Sequence, residues 1–216
     1  MDTLLWYVEI TLDYLRQMLP CMLAAVLVFL CLRPWRYMRL EVRGMRSGVP
    51  HEAALLIFVL FCVGLAALTL FPATFWTVGH WRAVFLGYEP LFRPVDWYIQ
   101  LHTIQFIPLR TISGGFGGPW VFFMMLGNLA MFIPLGFFPA LLWQGESWRR
   151  ALLTGLCSSL GVEVIQFFIG RGSDIDDIIL NTLGTLCGWW IFLLLRRIMP
   201  NLLSKFRCVK VESLHV

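Results

Sequence analysis

The sequence is short of charge. Only 14% of its 216 residues are Asp, Glu, Lys or Arg, whereas a soluble domain averages about 25%. Apolar side chains take their place: they make up 59% of the chain and give it a mean hydropathy of +0.75. This deficit of charge excludes a pair of soluble domains and predicts one compact bundle of helices in a bilayer.

Other features that are scarce or absent further limit the class of protein. The net charge is only +4 and no Lys/Arg tract lies among exposed aromatics, so the sequence offers no surface for nucleic acid. None of the six cysteines forms a C-x-x-C pair, and five lie in apolar runs, so we interpret them as buried apolar side chains. No internal repeat is present, which disfavours a transporter built from inverted repeats.

The apolar residues are gathered into runs long enough to cross a bilayer, which takes about 20 residues per helix. The sequence therefore predicts an all-α membrane protein with about five transmembrane helices and a long extracytoplasmic loop between helices two and three. The predicted spans are residues 14–32, 53–71, 120–143, 151–169 and 178–195, and the loop is 72–119.

The Lys and Arg residues predict the orientation of these helices. Twelve of the 17 lie in the loop 33–46, at Arg149 and Arg150, and in the tail that begins at Arg196, while four lie in loops on the other side. An excess of Lys and Arg marks the cytoplasmic face. The N-terminus is thus predicted outside the cytoplasmic membrane and the C-terminus inside. The loop 72–119, rich in Pro and aromatics, is predicted to lie on the outer surface of the membrane or to fold back as a lid or re-entrant element.

A polar stripe follows one face of the fourth predicted span. Ser159, Glu163 and Gln166 recur at the helical spacing of about 100° per residue. A carboxylate in the bilayer costs several kcal/mol unless it has a partner or water. Glu163 is therefore predicted to face the interior of the bundle.

The fifth predicted span has a second stripe, made of Asp174, Asp177, Asn181, Gly184 and Gly188. Its Gly-x-x-x-Gly end permits close approach of another helix. The short turn 170–173 joins the two stripes into an antiparallel hairpin, so that both polar faces can meet. Ser173 or Asp174 is a suitable N-cap for the fifth span, and Arg171 at the turn is placed to pair with Glu163 or an aspartate.

Each of these features has a structural as well as a functional interpretation. Asp174, Asp176 and Asp177 at the start of a helix can simply be cap and dipole partners. In the third span, Pro134 removes a helix hydrogen bond. Asn128 then either bridges the kink to a neighbouring helix or donates hydrogen bonds to whatever Glu163 and the aspartates hold.

Together these motifs resemble the pattern of the VanZ-like family over residues 47–195. Pro108-Leu-Arg-Thr-Ile112 resembles the outer-loop signature of that family, although the family usually has Asn-Leu-Ile-Pro-Phe where this chain has Gln105-Phe-Ile-Pro-Leu. The resemblance implies a bacterial membrane protein linked to low-level resistance to the lipoglycopeptide teicoplanin. It rests on the motifs Asn128-x3-Phe132-x-Pro134-x-Gly136 and Glu163-x2-Gln166-x4-Arg171-x2-Asp174-x-Asp176-Asp177-x3-Asn181-x2-Gly184.

The predicted organisation is an N-terminal helix with a basic cytoplasmic loop (1–46), a VanZ-like transmembrane domain (47–196) and a basic cytoplasmic tail (197–216). The polar cluster is expected to bind a ligand together with membrane lipid. That ligand is a lipid-anchored lipoglycopeptide or a lipid-linked cell-wall precursor at the outer leaflet. The candidate binding residues are Glu163, Gln166, Arg171, Asp174, Asp177, Asn128, Asn181 and Arg110.

The alternative is a membrane-embedded enzyme that modifies a lipid-linked head group. Glu163 would be its general base, and Asp174 and Asp177 would hold a divalent cation. No His lies in the cluster, and no diagnostic phosphatase or transferase motif is present. The sequence assigns no cofactor, and it leaves open whether the protein is an enzyme and whether a metal binds.

Overall fold

A computed structural model describes residues 2–71, 75, 77–92, 94–115, 118–145 and 147–210. Almost all of the regular structure in these ranges is helical. Pro72, Phe116 and Gly117 of the predicted outer loop, and residues 211–216 of the predicted tail, lie outside the described residues. The elements are α1 (Asp2–Cys31), α2 (Arg33–Val42), β1 (Met45–Arg46), α3 (Val49–Leu70), α4 (Val78–Phe85), α5 (Trp97–His102), α6 (Arg110–Gly115), α7 (Pro119–Leu142), α8 (Trp148–Phe168), α9 (Ile175–Ile198), α10 (Pro200–Ser204) and β2 (Val209–Lys210).

Four of the described helices, α3, α7, α8 and α9, are long and apolar enough to cross a membrane. A fifth span is possible where α1 and α2 form a pair bent by 45°. The helix is interrupted there next to Pro34 in the first turn of α2, which has no N–H to donate to a carbonyl of the preceding turn. A multi-pass helical protein is thus confirmed. The predicted loop between the second and third spans contains three short helices, α4 to α6.

α9 lies at the centre of the bundle, where it packs against both α7 and α8. Gly184 and Gly188 let its backbone approach α7, because a Cβ at either position would collide with the carbonyl oxygen of Leu129 or Ile133. Across the same contact, a Cβ at Gly136 of α7 would collide with the carbonyl oxygen of Thr185. The close approach predicted from the two glycines of α9 is therefore confirmed, and its partner is α7.

The loops meet in two groups at opposite ends of the bundle. At one end, β1 pairs antiparallel with β2, and Met45 lies opposite Lys210. At the other end, Gln105 and Asp174 form an isolated parallel bridge. The segments predicted to share a side of the membrane are thus neighbours in space. Which side faces the cytoplasm stays a prediction.

Candidate functional site

The turn between α8 and α9 brings the two polar stripes together. Gly170 has a φ of +80°, a left-handed conformation that glycine adopts at little steric cost, and it follows directly after the end of α8. Asp174 then caps α9, because its carboxylate accepts a 2.9 Å hydrogen bond from the backbone N–H of Asp176. The predicted hairpin is confirmed, and Asp174 is the N-cap of α9.

Glu163 lies inside the bundle, as the cost of a lipid-exposed carboxylate predicts. Its side chain is 5% exposed. Its Oε2 accepts a 3.0 Å hydrogen bond from the backbone N–H of Asp174, and the hydroxyl of Ser173 donates to the carbonyl of Glu163 at 3.0 Å. Glu163 of α8 therefore holds the end of the turn and the start of α9.

A second pair of contacts lies deeper in the bundle. The amide of Asn181 donates to the hydroxyl of Ser159 at 2.9 Å, so the stripes of α8 and α9 meet directly. One turn earlier on the same face of α9, the amide of Asn128 donates to Oδ1 of Asp177 at 2.5 Å. The second contact is the bridge between helices that one interpretation of Asn128 expected, and it joins α7 to α9.

Gln166 and Arg171 turn away from this cluster towards the C-terminal end of α3. The Gln166 side chain donates to the carbonyl of Thr69 at 3.0 Å, and the Arg171 guanidinium donates to the carbonyls of Leu68 and Thr69. The last carbonyls of a helix have no partner within the helix, which explains why they attract these donors. Within the described ranges, Arg171 therefore forms no ion pair with Glu163 or an aspartate, contrary to the role the sequence suggested.

Asp176 is the residue that sequence reasoning underrated. It is fully buried, and its two oxygens accept hydrogen bonds from the backbone N–H groups of Leu109 (2.6 Å), Thr111 (2.7 Å) and Ile112 (3.1 Å). Beside it, the hydroxyl of Thr111 donates to Asp174. Two carboxylates at the start of α9 thus hold the start of α6. Asp176 does not lie on the helical stripe of Asp177 and Asn181, so helical spacing does not point to a role for it. Only its place in the motif that resembles the VanZ-like family could have indicated one.

The segment before α6 is held by Gln105. Its backbone N–H donates to the carbonyl of Ser173 at 2.9 Å, and its carbonyl accepts from the N–H of Ile175 at 3.1 Å. Its side chain folds back onto the backbone of Ile107 and reaches Asp174 at 3.5 Å. Arg110, a predicted binding residue, is exposed at the first position of α6, and its side chain has no hydrogen-bond partner among the residues described.

A pocket of about 310 Å³ lies between the α8–α9 hairpin and residues 104–106. Its exposed surface is almost entirely apolar, although its lining residues also include Gln105, Glu163, Ser173 and Asp174. Within the described part of the chain, no three His, Cys, Asp or Glu side chains are grouped so as to hold a metal ion. The apolar wall is made of Ile104, Phe106, Leu160, Val164, Phe167, Phe168, Ile175 and Ile178.

This arrangement suits an amphipathic ligand. Methylene groups of an acyl chain can contact the apolar wall, and Glu163 and Asp174 are the two carboxylates among the lining residues. Of the predicted binding residues, Glu163 and Asp174 line the pocket. Asn128, Gln166, Asp177 and Asn181 support the helices around it, and Arg110 and Arg171 lie outside its lining.

The family model described as VanZ/LLP1 matches residues 58–196, more than half of the chain. The matched range contains the hairpin, the segment 104–112 and the pocket between them. No curated protein and no solved structure matches the chain.

Proposed function

The chain belongs to the VanZ-like (VanZ/LLP1) family, and from this we propose that it recognises a lipid-anchored drug or a lipid-linked cell-wall precursor at the outer leaflet. Recognition of this kind would give low-level resistance to lipoglycopeptides such as teicoplanin, the activity that the family resemblance implies. The pocket between α8, α9 and residues 104–106 is the proposed site.

The observation that carries this proposal is a pocket whose exposed surface is almost entirely apolar and whose lining residues include the carboxylates of Glu163 and Asp174. The acyl chain of a lipid-anchored molecule matches such an apolar surface. Glu163 and Asp174 are neighbours in this lining, joined by the hydrogen bond from the N–H of Asp174 to Glu163, and carboxylates favour hydrogen-bond donors and cationic groups. Leu160 and Phe168 on the apolar wall are half exposed, so the pocket is accessible from the lipid side of α8.

The orientation of the protein is part of the proposal. Twelve Lys and Arg residues are predicted on one side of the membrane and four on the other. This difference favours an N-terminus outside and a C-terminus inside the bacterial cytoplasmic membrane. The pocket lies at the end of the bundle opposite the basic loops, where Gln105 pairs with Asp174. In this orientation it opens near the outer leaflet, where a drug that acts on the cell wall arrives.

Filling the pocket is expected to weaken ligand binding. In Leu160→Trp, an indole replaces a wall residue and takes up part of the 310 Å³, so the dissociation constant for a fluorescent lipoglycopeptide should rise at least tenfold. Binding is measured on the purified full-length protein in detergent, and drug tolerance is measured in cells that express each variant. The absence of saturable binding to the unmodified protein would refute the proposal.

Leu153→Trp is the matched control. Leu153 lies two turns before Leu160 on the same face of α8, its side chain is 56% exposed against 50% for Leu160, and it does not line the pocket. This variant should bind and protect like the unmodified protein. If both tryptophan variants bind equally well, the pocket is not the binding site. Thermal unfolding of the two variants separates a blocked pocket from a damaged fold.

Replacing Glu163 by Gln distinguishes binding from catalysis. The amide of Gln can still accept the hydrogen bond from the N–H of Asp174, so the pocket keeps its shape but loses a charge. For a binding protein we expect a loss of affinity of less than tenfold and measurable tolerance. The enzyme alternative needs Glu163 as a base, and general base catalysis contributes about 10²–10⁴ in rate. Complete loss of tolerance with affinity retained would therefore favour the enzyme.

A further inference from the structure

A second cavity, of about 630 Å³, lies at the opposite end of the bundle. It is enclosed by α2, the start of α3, the end of α7 and the segment 207–210. Five cationic side chains and one carboxylate line it, a net charge of +4 that equals the net charge of the whole chain. Its cationic lining residues are Arg36, Arg39, Arg43, Arg207 and Lys210.

Two of these cations are already bound within the protein. Arg36 forms a 2.9 Å ion pair with Glu52 and also donates to the carbonyl of Phe29. Arg207 donates to the carbonyl of Ala140 at 3.3 Å. Both therefore hold the walls of the cavity together, and Glu52 offsets the charge of Arg36.

The other three cations are available. Arg39, Arg43 and Lys210 are exposed, and among the described residues none of them lies within ion-pair distance of a carboxylate. The guanidinium of Arg39 stacks on Trp35, with its central carbon 4.2 Å from the ring centroid. A stacked guanidinium keeps its N–H edge free, so Arg39 is oriented without being neutralised.

The rim of the cavity is fixed by contacts distant in sequence. The β1–β2 pair places Lys210 opposite Met45, and the buried ring of His51 is hydrogen-bonded to the carbonyl of Phe206 at 2.8 Å. Burial raises the pKa of the Cys208 thiol above its ordinary value, so the thiol stays neutral and does not offset the cationic charge. The cations are therefore held at one site although they come from both ends of the chain.

We propose that this cavity binds the phosphate of an anionic phospholipid from the adjacent leaflet. Arg and Lys are the side chains that bind phosphate in proteins. The cavity lies where α3 begins and α7 ends, which is the depth of the lipid head groups. Its remaining wall includes Leu55, Leu142 and Trp143, which can contact the first part of an acyl chain. A zwitterionic lipid brings an ammonium group, which a net charge of +4 repels.

The test measures lipid binding to the purified full-length protein in detergent by native mass spectrometry, with phosphatidylglycerol and phosphatidylcholine as probes. We expect phosphatidylglycerol to bind at least tenfold more tightly, with an affinity that falls as salt rises. The triple variant Arg39→Gln/Arg43→Gln/Lys210→Gln should weaken phosphatidylglycerol binding on the order of 100-fold, about fivefold per charge. Equal affinity for the two lipids, or full retention by the triple variant, overturns the proposal.

Controls separate charge, fold and the source of the phosphate. Arg149→Gln removes a cation from a neighbouring loop that does not line the cavity, so this variant should keep full affinity. Arg39→Lys/Arg43→Lys keeps the charge and should retain most of the binding, which excludes a general loss of fold. Glycerol phosphate is added as a competitor. If it displaces phosphatidylglycerol at equal concentration, the site takes soluble phosphate esters and the assignment to a lipid is wrong.

Discussion

Asp176→Ala is expected to lower the free energy of unfolding by about 3 kcal/mol. The carboxylate is fully buried and accepts three backbone hydrogen bonds from residues 109–112. Hydrogen bonds to a charged group contribute about 1.5–3 kcal/mol each, and the total is reduced because some freed N–H groups reach water. Thermal unfolding in detergent measures the loss. Faster tryptic cleavage after the exposed Arg110 would show that the segment has come free of α9.

Asp96→Ala is the matched control for this prediction. Asp96 also accepts backbone hydrogen bonds at the start of a short helix in the same outer segment, from Tyr98 at 3.0 Å and Ile99 at 3.2 Å. It is exposed, so its loss should cost only about 1 kcal/mol, as for an ordinary N-cap. If Asp176→Ala costs no more than Asp96→Ala, the carboxylate of Asp176 does not hold α6 to α9.

The same substitution bears on function. Asp176 holds residues 109–112, while Gln105, Ile104 and Phe106 from the preceding stretch form one wall of the pocket. A variant that releases this segment should therefore bind the lipoglycopeptide more weakly, although Asp176 does not line the pocket itself. Asp176→Asn keeps the shape of the side chain and one acceptor oxygen, so its effects on stability and binding should both be intermediate.

The features that could be predicted from the sequence are those imposed by helix periodicity in a bilayer. Glu163 is surrounded by apolar residues, so the cost of exposing it to lipid fixed the face that α8 turns inward. Ser159 and Gln166 share that face by spacing alone, and all three are buried. The short turn after Gly170 left an antiparallel hairpin as the simplest connection. The contact between Ser159 and Asn181 follows from this hairpin, because the polar faces of its two helices meet.

What could not be predicted is the partner of each polar side chain when that partner is distant in sequence. Arg171 was expected to pair with an acid, but the carbonyls at the end of α3 lie within reach and lack helical partners. The partners of Asp176 lie some 65 residues earlier, in a segment of short helices whose backbone N–H groups carry no sequence signal. Neither contact follows from a local pattern.

The glycine contact between α7 and α9 gives the second large effect. Gly184→Ala is expected to lower the free energy of unfolding by about 3 kcal/mol, because the added Cβ meets the backbone carbonyl of Leu129, which cannot move away as a side chain could. Separating the two helices would also stretch the 2.5 Å hydrogen bond from Asn128 to Asp177. Thermal unfolding of the purified protein in detergent measures the change.

Gly161→Ala and Gly127→Ala are the controls, since both glycines lie within spanning helices and a Cβ at either meets no atom within 4 Å. Alanine is the better helix former by about 0.5–1 kcal/mol, so these variants should be unchanged or slightly more stable. Glycine-to-alanine substitution is thus expected to lower the free energy of unfolding at Gly184 and to leave it unchanged or slightly higher at Gly161 and Gly127. The difference depends on which atoms face the glycine. If Gly184→Ala is tolerated as well as Gly161→Ala, then α7 and α9 do not meet backbone to backbone. The Asn128–Asp177 bridge would then lose the close helix contact that supports it.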